Sequence, residues 1–424
     1  MTLDRTQIPQ SKEITYFALP QTTKYLLNNG MPVYTLSSGS QKIVRIEWII
    51  EAGTRFDTVP GVSQIALKML NEGTSKLSAN QIAEEVASKG AFLELHHGID
   101  RINITLYCLN DFLSILLPTL ADIIFNSIFP EKEFEKLINI STQSLKVNEE
   151  KTSYLATKAF KANLYENGHP YGYSLSTDDL KNLTRSQVFD YYQQFIQKLN
   201  GASIMVAGSF NESEVVALLN KYFGGVLYNK LEKQSFIVKN LSHKTIHLSK
   251  DEALQTSIRI GRHVMSRHDD DHIDFIITNE LLGGFFGSRL MKNIREDKGY
   301  TYGISSQINF LNQSSYMLIG ADIKKEALAD TLVQIEIEFE KLKNEPVSEE
   351  ELNILRNYML GSYLNNISTS FQQMDKFKML YFNGLEYSYF ENYFNGIKNI
   401  SVEKIQTIAN KYFNIESMLV LSVG

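Results

Sequence analysis

The chain contains a single cysteine, Cys108, among its 424 residues. One thiol excludes an internal disulfide and any zinc knuckle that is built from cysteines. Cys108 lies in an alternating apolar run, residues 102–109, which predicts a β-strand. No base that would activate the thiol is evident nearby, so we expect Cys108 to be buried and inert.

Long apolar runs and an excess of positive charge are also missing. The most apolar stretch, residues 112–125, is interrupted by Ser114, Pro118 and Asp122, which argues against a membrane span. The first residues show no apolar leader, so we expect a cytoplasmic protein, with the periplasm or an organelle open if the sequence is a trimmed form.

Lys and Arg number 42 against 48 Asp and Glu, and a net charge of −6 argues against a nucleic-acid partner.

The chain does contain an internal repeat. Residues 180–188 resemble residues 397–405 at an offset of 217. In each copy a hydroxyl side chain, that of Thr184 or Ser401, precedes a helical pattern and is a natural N-cap. A short apolar strand pattern follows each helix. A period near half of the chain length indicates two similar domains, not a series of short repeats.

The order of predicted elements gives the fold class. Both halves begin with paired strands, continue with helices, return to a strand pair and end with long helices, including one helical stretch over residues 130–165. This order predicts an α+β protein of two homologous domains, each a mainly antiparallel sheet flanked by helices. We place the N-terminal domain at residues 1–228, a linker at residues 229–242 and the C-terminal domain at residues 243–424.

Four stretches together carry a family resemblance. They are residues 51–63, 69–74, 169–184 and 280–303. In this order they resemble the pitrilysin/insulysin-type metallopeptidases, an inverzincin family that includes the mitochondrial processing peptidase, and most of all its short two-domain branch. The resemblance implies a processing-peptidase/LuxS-metallohydrolase-like duplication whose two domains face each other like half a clamshell.

The zinc motif of that family is degenerate in this chain. Active members carry H-x-x-E-H on the helix that follows the first stretch, and a later carboxylate completes the ligand set. The matching positions hold Gln64, Leu67 and Lys68, and the later ligand position falls at Ser144. Gln is a poor zinc ligand, Lys repels a dication, and Leu cannot accept a proton. We therefore expect no metal in this chain and no peptidase activity from it alone.

Arg295 and Tyr302 match a second motif of the family. There, an Arg and a Tyr at this spacing reach from the second domain into the cleft and donate hydrogen bonds to the substrate backbone and the oxyanion. Fixed donors of this kind stabilise developing negative charge. The residues by themselves also permit a structural role, with Arg295 at a helix end and Tyr302 packed in a strand. Tyr300 fits the spacing less well, and Gly299 is expected to form the turn.

Three further features have alternative explanations. Residues 268–272 hold two His and three Asp at helical spacing; a helix start with an Asp cap explains them, and a metal site there stays open. His96 and His97 are adjacent on a predicted strand, so they face opposite sides and cannot share a metal. The glycines of residues 283–287 are typical either of a substrate loop or of a helix break imposed by packing.

The family resemblance implies a division of labour between two chains. In heterodimeric members one subunit holds zinc, and the other keeps the Arg/Tyr pair without zinc ligands. We predict that this chain is a zinc-lacking, substrate-binding subunit of a heterodimeric zinc peptidase. An H-x-x-E-H-bearing homologous partner would hold the zinc, and Arg295 and Tyr302 would complete its site for unfolded peptide substrates. The alternative is a catalytically inactive homodimeric scaffold or peptide-binding protein, like the core subunits of a respiratory complex.

Overall fold

The computed structural model of the chain describes residues 6, 14, 18–165, 168–229 and 243–424. The strands are β1 Thr23–Leu26, β2 Pro32–Ser37, β3 Ile43–Ile50, β4 Phe92–His97, β5 Ile102–Leu109, β6 Ser203–Gly208, β7 Lys244–Leu248, β8 Gln255–Val264, β9 Thr301–Phe310, β10 Ser315–Lys324 and β11 Leu419–Val423.

Fourteen α-helices lie within the described residues. They are α1 Val62–Met69, α2 Ala79–Ala87, α3 Leu113–Asn126, α4 Glu131–Glu149, α5 Thr152–Leu164, α6 Thr177–Asn182, α7 Arg185–Tyr191, α8 Glu212–Phe223, α9 His272–Asn279, α10 Leu328–Asn344, α11 Glu349–Asn365, α12 Ser370–Asn383, α13 Ser388–Asn399 and α14 Val402–Tyr412. Wide π-helical turns occur at Tyr192–Ile196, Glu280–Gly284 and Met291–Asp297, and short 3-10 turns at Thr54–Phe56, Leu70–Glu72, Asn110–Phe112, Lys325–Ala327 and Ile415–Ser417.

Two sheets repeat one topology. The first has the order β1-β2-β6-β3-β5-β4 and the second has the order β7-β11-β8-β10-β9. The β2–β6 and β7–β11 pairs are parallel, and the other pairs are antiparallel. The last five strands of the first sheet therefore match the five strands of the second, with β1 as an addition. The predicted fold class, two homologous α+β domains with mainly antiparallel sheets, is confirmed.

The repeated helix starts are built as the sequence predicts. The Thr184 hydroxyl accepts a hydrogen bond from the backbone N–H of Gln187, and the Ser401 hydroxyl accepts one from that of Lys404. Each hydroxyl thereby satisfies an N–H that the first helical turn leaves without a partner.

The helical stretch predicted over residues 130–165 consists of two helices, because the chain breaks between α4 and α5. Lys151 takes an extended backbone conformation with φ −90° and ψ 125°. The break redirects α5 onto the sheet of the second domain. There Phe160 packs with Tyr316 and Leu419 in one buried cluster. An uninterrupted helix would have kept this apolar surface in the first domain.

Helix α12 of the second domain packs in turn on the sheet of the first domain. Met374 of α12 packs in a buried cluster with Leu36, Ile49 and Met205, which line the face of the first sheet that is turned away from its own helices. Each sheet is thus covered on one face by its own helices and on the other by a helix of the opposite domain. This arrangement fixes the two domains against each other.

The buried core of the first domain contains the chain's single tryptophan and its single cysteine. Trp48 is fully buried in β3, and Cys108 is buried in β5. Burial raises the pKa of the Cys108 thiol to about 12, so the thiol is protonated at neutral pH. The prediction of an inert cysteine is consistent with this position.

Two further sequence predictions concern the linker between the domains and the absence of a membrane-spanning helix. Apart from Asn229, the predicted linker at residues 229–242 lies outside the described residues. Within the described ranges, no helix combines the length and the apolar character that a bilayer crossing requires.

Candidate functional site

The degenerate metal positions are Gln64, Leu67 and Lys68 on α1 and Ser144 on α4. Helix α1 starts after Gly61, whose φ of 81° suits glycine, and the Asp57 carboxylate accepts hydrogen bonds from the backbone N–H groups of Gly61 and Ser63 at 3.0 and 3.2 Å. These contacts fix the start of α1 and therefore the direction of the side chains that follow. Ser144 lies on the exposed surface of α4.

The residues at these positions do not fit a zinc ion. Leu67 is only 1% exposed and belongs to the apolar core, so the place of the catalytic Glu is closed by a hydrocarbon side chain. Lys68 is exposed, although desolvation by its neighbours lowers the pKa of its ammonium group. Gln64 and Ser144 supply no anionic ligand. Across the described ranges, no three His, Cys, Asp or Glu side chains are grouped so that they could hold a metal ion.

One contact beside these positions is not evident from the sequence. Nε2 of His97 lies 2.7 Å from the hydroxyl oxygen of Ser63, which links β4 to α1. Burial, assisted by His96 and Lys68, lowers the pKa of His97 to about 4, so its imidazole is neutral at pH 7. Ser63 is fully buried, and its hydroxyl therefore joins two elements and is not presented to a substrate. Alternation along β4 does predict that His97 and His96 face opposite sides, and His96 is exposed.

Arg295 and Tyr302 lie on the two sides of a tight turn. Arg295 belongs to the helical turn Met291–Asp297, and Tyr302 is the second residue of β9. Gly299 forms the turn with a φ of 63°, a conformation that favours glycine. Nε of Arg295 donates a hydrogen bond of 3.0 Å to the backbone carbonyl of Tyr302. This bond fixes the guanidinium beside the start of the strand.

The two side chains present their polar groups at the surface. The Tyr302 side chain is 94% exposed, so it does not pack against the strand as a structural tyrosine would. The Arg295 guanidinium stacks on the Phe286 ring at 4.6 Å and lies 3.7 Å from a Glu296 carboxylate oxygen. Arg295 and Tyr302 line one open cavity of about 550 Å³, together with Lys324.

Tyr300 differs from Tyr302 in its surroundings. Its hydroxyl donates a 2.7 Å hydrogen bond to Asp330, and its ring packs against the core of the second domain. No hydrogen bond, ion pair or ring contact between described residues joins Arg295 or Tyr302 to the degenerate metal positions of α1 and α4. The candidate residues therefore form two separate groups in a single chain.

The glycine patch has a packing role in this structure. Residues 280–284 form a wide helical turn, after which Phe285 is extended. A Cβ atom on Gly283 would lie 2.8 Å from the backbone nitrogen of Ser306, which belongs to β9. The close approach of helix and strand therefore requires glycine at this position.

The His and Asp side chains of residues 268–272 contact different partners. Nε2 of His268 lies 2.8 Å from the backbone oxygen of Asn383, and Nε2 of the buried His272 lies 2.9 Å from the Tyr389 hydroxyl. Asp271 precedes α9 but makes no capping hydrogen bond. Instead its carboxylate pairs with the ammonium groups of Lys404 and Lys411. At the same helix start the Asp269 carboxylate accepts a 3.0 Å hydrogen bond from the backbone N–H of Asp271. The attraction of two nearby cations outweighs a single backbone N–H.

Comparisons with known proteins agree with this architecture. A relative from Bacillus subtilis, named an uncharacterized zinc protease YmxG, is 24% identical over 412 residues, which are 94% of this chain and 97% of the relative. A relative from Helicobacter pylori, named a non-peptidase homolog YmxG, is 22% identical over 367 residues, or 84% of this chain and 83% of the relative. The crystal structure of a peptidase M16 inactive domain from Pseudomonas fluorescens superposes with a TM-score of 0.86 at 22% identity and covers 96% of this chain and 98% of that chain.

Two family profiles divide most of the chain between them. Residues 33–179 match the profile described as insulinase (peptidase family M16), and residues 182–359 match the profile described as peptidase M16 inactive domain. The first match contains the degenerate metal positions, and the second contains Arg295 and Tyr302. The chain therefore belongs to peptidase family M16.

Proposed function

We propose that this chain is the zinc-lacking, substrate-binding subunit of a heterodimeric zinc peptidase. The observation that carries the proposal is the exposed Tyr302 phenol beside the fixed Arg295 guanidinium, in a chain whose zinc-motif positions do not fit the metal. A homologous partner with H-x-x-E-H would hold the metal. Arg295 and Tyr302 would donate hydrogen bonds to the substrate backbone and to the oxygen on which charge develops. We retain the cytoplasm as the proposed compartment.

Unfolded peptides are the proposed substrates. Strands β4 and β9 lie at the edges of their sheets. An edge strand can pair with an extended peptide through backbone hydrogen bonds, which tolerate many sequences. A folded protein does not offer such an extended segment.

The test begins with purification of the chain from its native host and mass spectrometry of the proteins that accompany it. The expected result is a stoichiometric partner of similar size that carries H-x-x-E-H. The reconstituted pair should hydrolyse unfolded peptides, and Arg295→Ala or Tyr302→Phe should lower kcat/KM at least about tenfold while assembly persists. Tyr300→Phe is the matched control, because Tyr300 binds Asp330 and should leave turnover within about twofold.

The alternative is an inactive homodimeric scaffold or peptide-binding protein. The name of the Helicobacter pylori relative, a non-peptidase homolog, favours it. Recovery of this chain alone as a homodimer without peptidase activity would support this alternative. Unchanged turnover in both the Arg295 and Tyr302 variants of an active pair would contradict the proposed role of these residues.

A further inference from the structure

The second domain contains a cavity of about 690 Å³ that the proposed function does not use. Its walls come from β9, from the wide turn Glu280–Gly284 after α9, and from α11, α12 and α13. A volume of this size accommodates a ligand of a few amino-acid residues.

The duplication relates this cavity to the degenerate metal site of the first domain. Leu95 of β4 pairs with Ile104 of β5, and Ile308 of β9 pairs with Met317 at the equivalent place in β10. Two residues further on, Phe310 takes the position of His97, the side chain that faces α1. The β9 wall of the cavity is thus the counterpart of β4, the strand that contacts α1 beside the degenerate metal positions.

One end of the cavity carries an unpaired carboxylate. Glu280 is half-buried against the backbone of Gly284, and it forms no ion pair or hydrogen bond through its side chain with any other described residue. Burial raises the pKa of Glu280. A partly desolvated carboxylate without a partner gains most from a cationic group that enters with a ligand.

The other end carries two cations. The Arg267 guanidinium stacks on the Phe310 ring at 3.7 Å and donates a 3.2 Å hydrogen bond to the Tyr389 hydroxyl, but it contacts no carboxylate in the described part of the chain. Lys376 of α12 likewise makes no ion pair there; burial, and then the nearby Arg267, lower the pKa of its ammonium group. The adjacent Asp375 carboxylate opposes this shift, but its ion pairs are with Arg45, at 2.8 Å, and Lys378, at 3.3 Å.

Tyr389 and Tyr393 lie one turn apart on α13 and both line the cavity, and the Tyr389 hydroxyl accepts the hydrogen bond from Arg267. Burial and then the Glu280 carboxylate raise the pKa of the Tyr393 phenol, and Arg267 opposes them, so charges of both signs act on this wall of the cavity. A ligand that satisfies both ends carries a carboxylate and a cation, as does a peptide whose last residue is basic.

We propose that this cavity binds the carboxy-terminal end of a short peptide whose last residue is basic. The terminal carboxylate would lie against Lys376 and Arg267, the side-chain cation against Glu280, and the aliphatic stem against the aromatic rings of Tyr358, Phe390 and Tyr393. The site is distinct from the Arg295–Tyr302 cavity, and it does not require a zinc-bearing partner.

The test is isothermal titration calorimetry of the purified chain with three probe peptides. They are Ala-Ala-Arg, its carboxy-terminal amide, and Ala-Ala-citrulline, in which a neutral urea replaces the guanidinium. We expect Ala-Ala-Arg to bind at least about tenfold more tightly than either analogue, since each analogue lacks one charged contact.

Two variants test the two ends separately. Glu280→Gln should lower the affinity for Ala-Ala-Arg to that for the citrulline peptide. Lys376→Met should reduce the preference for the free acid over the amide, since Arg267 then contacts the carboxylate alone. Glu336→Gln removes an exposed carboxylate of α10 outside the cavity; it is the control and should bind all three peptides like the wild type. Because the chain is titrated alone, the outcome is independent of the two-chain proposal. No binding of Ala-Ala-Arg at millimolar concentration, or wild-type preferences in both variants, would overturn the assignment.

Discussion

Lys378 of α12 donates hydrogen bonds to both carboxylate oxygens of Glu47 in β3, at 2.9 and 3.0 Å. The Glu47 side chain is only 5% exposed, so this ion pair is desolvated on its acidic side. One turn earlier on the same helix, the Asp375 carboxylate accepts two hydrogen bonds from the Arg45 guanidinium at 3.1 and 2.8 Å. Together these contacts join α12 of the second domain to the sheet of the first.

We expect Lys378→Met to lower the free energy of unfolding by about 3 kcal/mol, because it leaves the buried Glu47 carboxylate without its cation. Urea denaturation followed by circular dichroism measures the change. Lys181→Met is the matched control. It removes an ion pair to Asp178 whose side chains are 57% and 80% exposed, and it should cost less than about 0.5 kcal/mol. Equal losses in the two variants would show that the cross-domain pair does not anchor α12.

The burial of His97 makes stability depend on pH. The pKa of His97 is lowered to about 4 in the folded chain, so the unfolded chain takes up this proton first as the solution is acidified. His97 therefore lowers stability as the pH falls from about 6.5 to about 4. Asp57 acts in the opposite direction over much of this range, since burial raises its pKa to about 6 and the folded chain binds its proton first.

We expect His97→Gln to reduce the acid-dependent loss of unfolding free energy between pH 6.5 and pH 4 by about 2 kcal/mol relative to the wild type. Urea titrations at half-unit pH intervals give this difference and cancel the contribution of Asp57. His96→Gln changes the exposed neighbour on the same strand, which lowers the pKa of His97 less than burial does, so this variant should retain most of the acid-dependent loss. If both variants follow the wild-type profile, the His97 ring is protonated without cost in the folded chain.

The closed metal position gives a third prediction. Leu67→Glu places a carboxylate in the apolar core and should lower the free energy of unfolding by about 3 kcal/mol or more at pH 7. The adjacent Lys68→Glu puts the same side chain at an exposed position of α1 and should change stability by less than about 0.5 kcal/mol. Thermal and urea denaturation at pH 7 compare the two. If Leu67→Glu leaves the free energy of unfolding unchanged, this position opens onto a water-filled cleft.

Much of the fold could be predicted from local patterns. Alternating apolar residues in β3 and β5, the N-cap hydroxyls of Thr184 and Ser401, and the repeat at residues 180–188 and 397–405 all depend on neighbours along the chain. The break at Lys151 did not follow from these patterns, since residues 130–165 are helical on both sides of it. The sheet faces that α5 and α12 cover are set by contacts between residues more than 100 positions apart, for example Phe160 with Tyr316.

The sequence by itself determined which chemistry the α1 site can perform. A glutamine, a leucine and a lysine at positions 64, 67 and 68 cannot act as a zinc site in any conformation, because ligand chemistry belongs to the side chain itself. Only the tertiary structure decided that Leu67 is buried in the core, that Ser63 meets His97, and that a cavity lined by charged side chains lies in the second domain. Those features depend on packing and charge between distant elements, where burial sets the strength of each interaction.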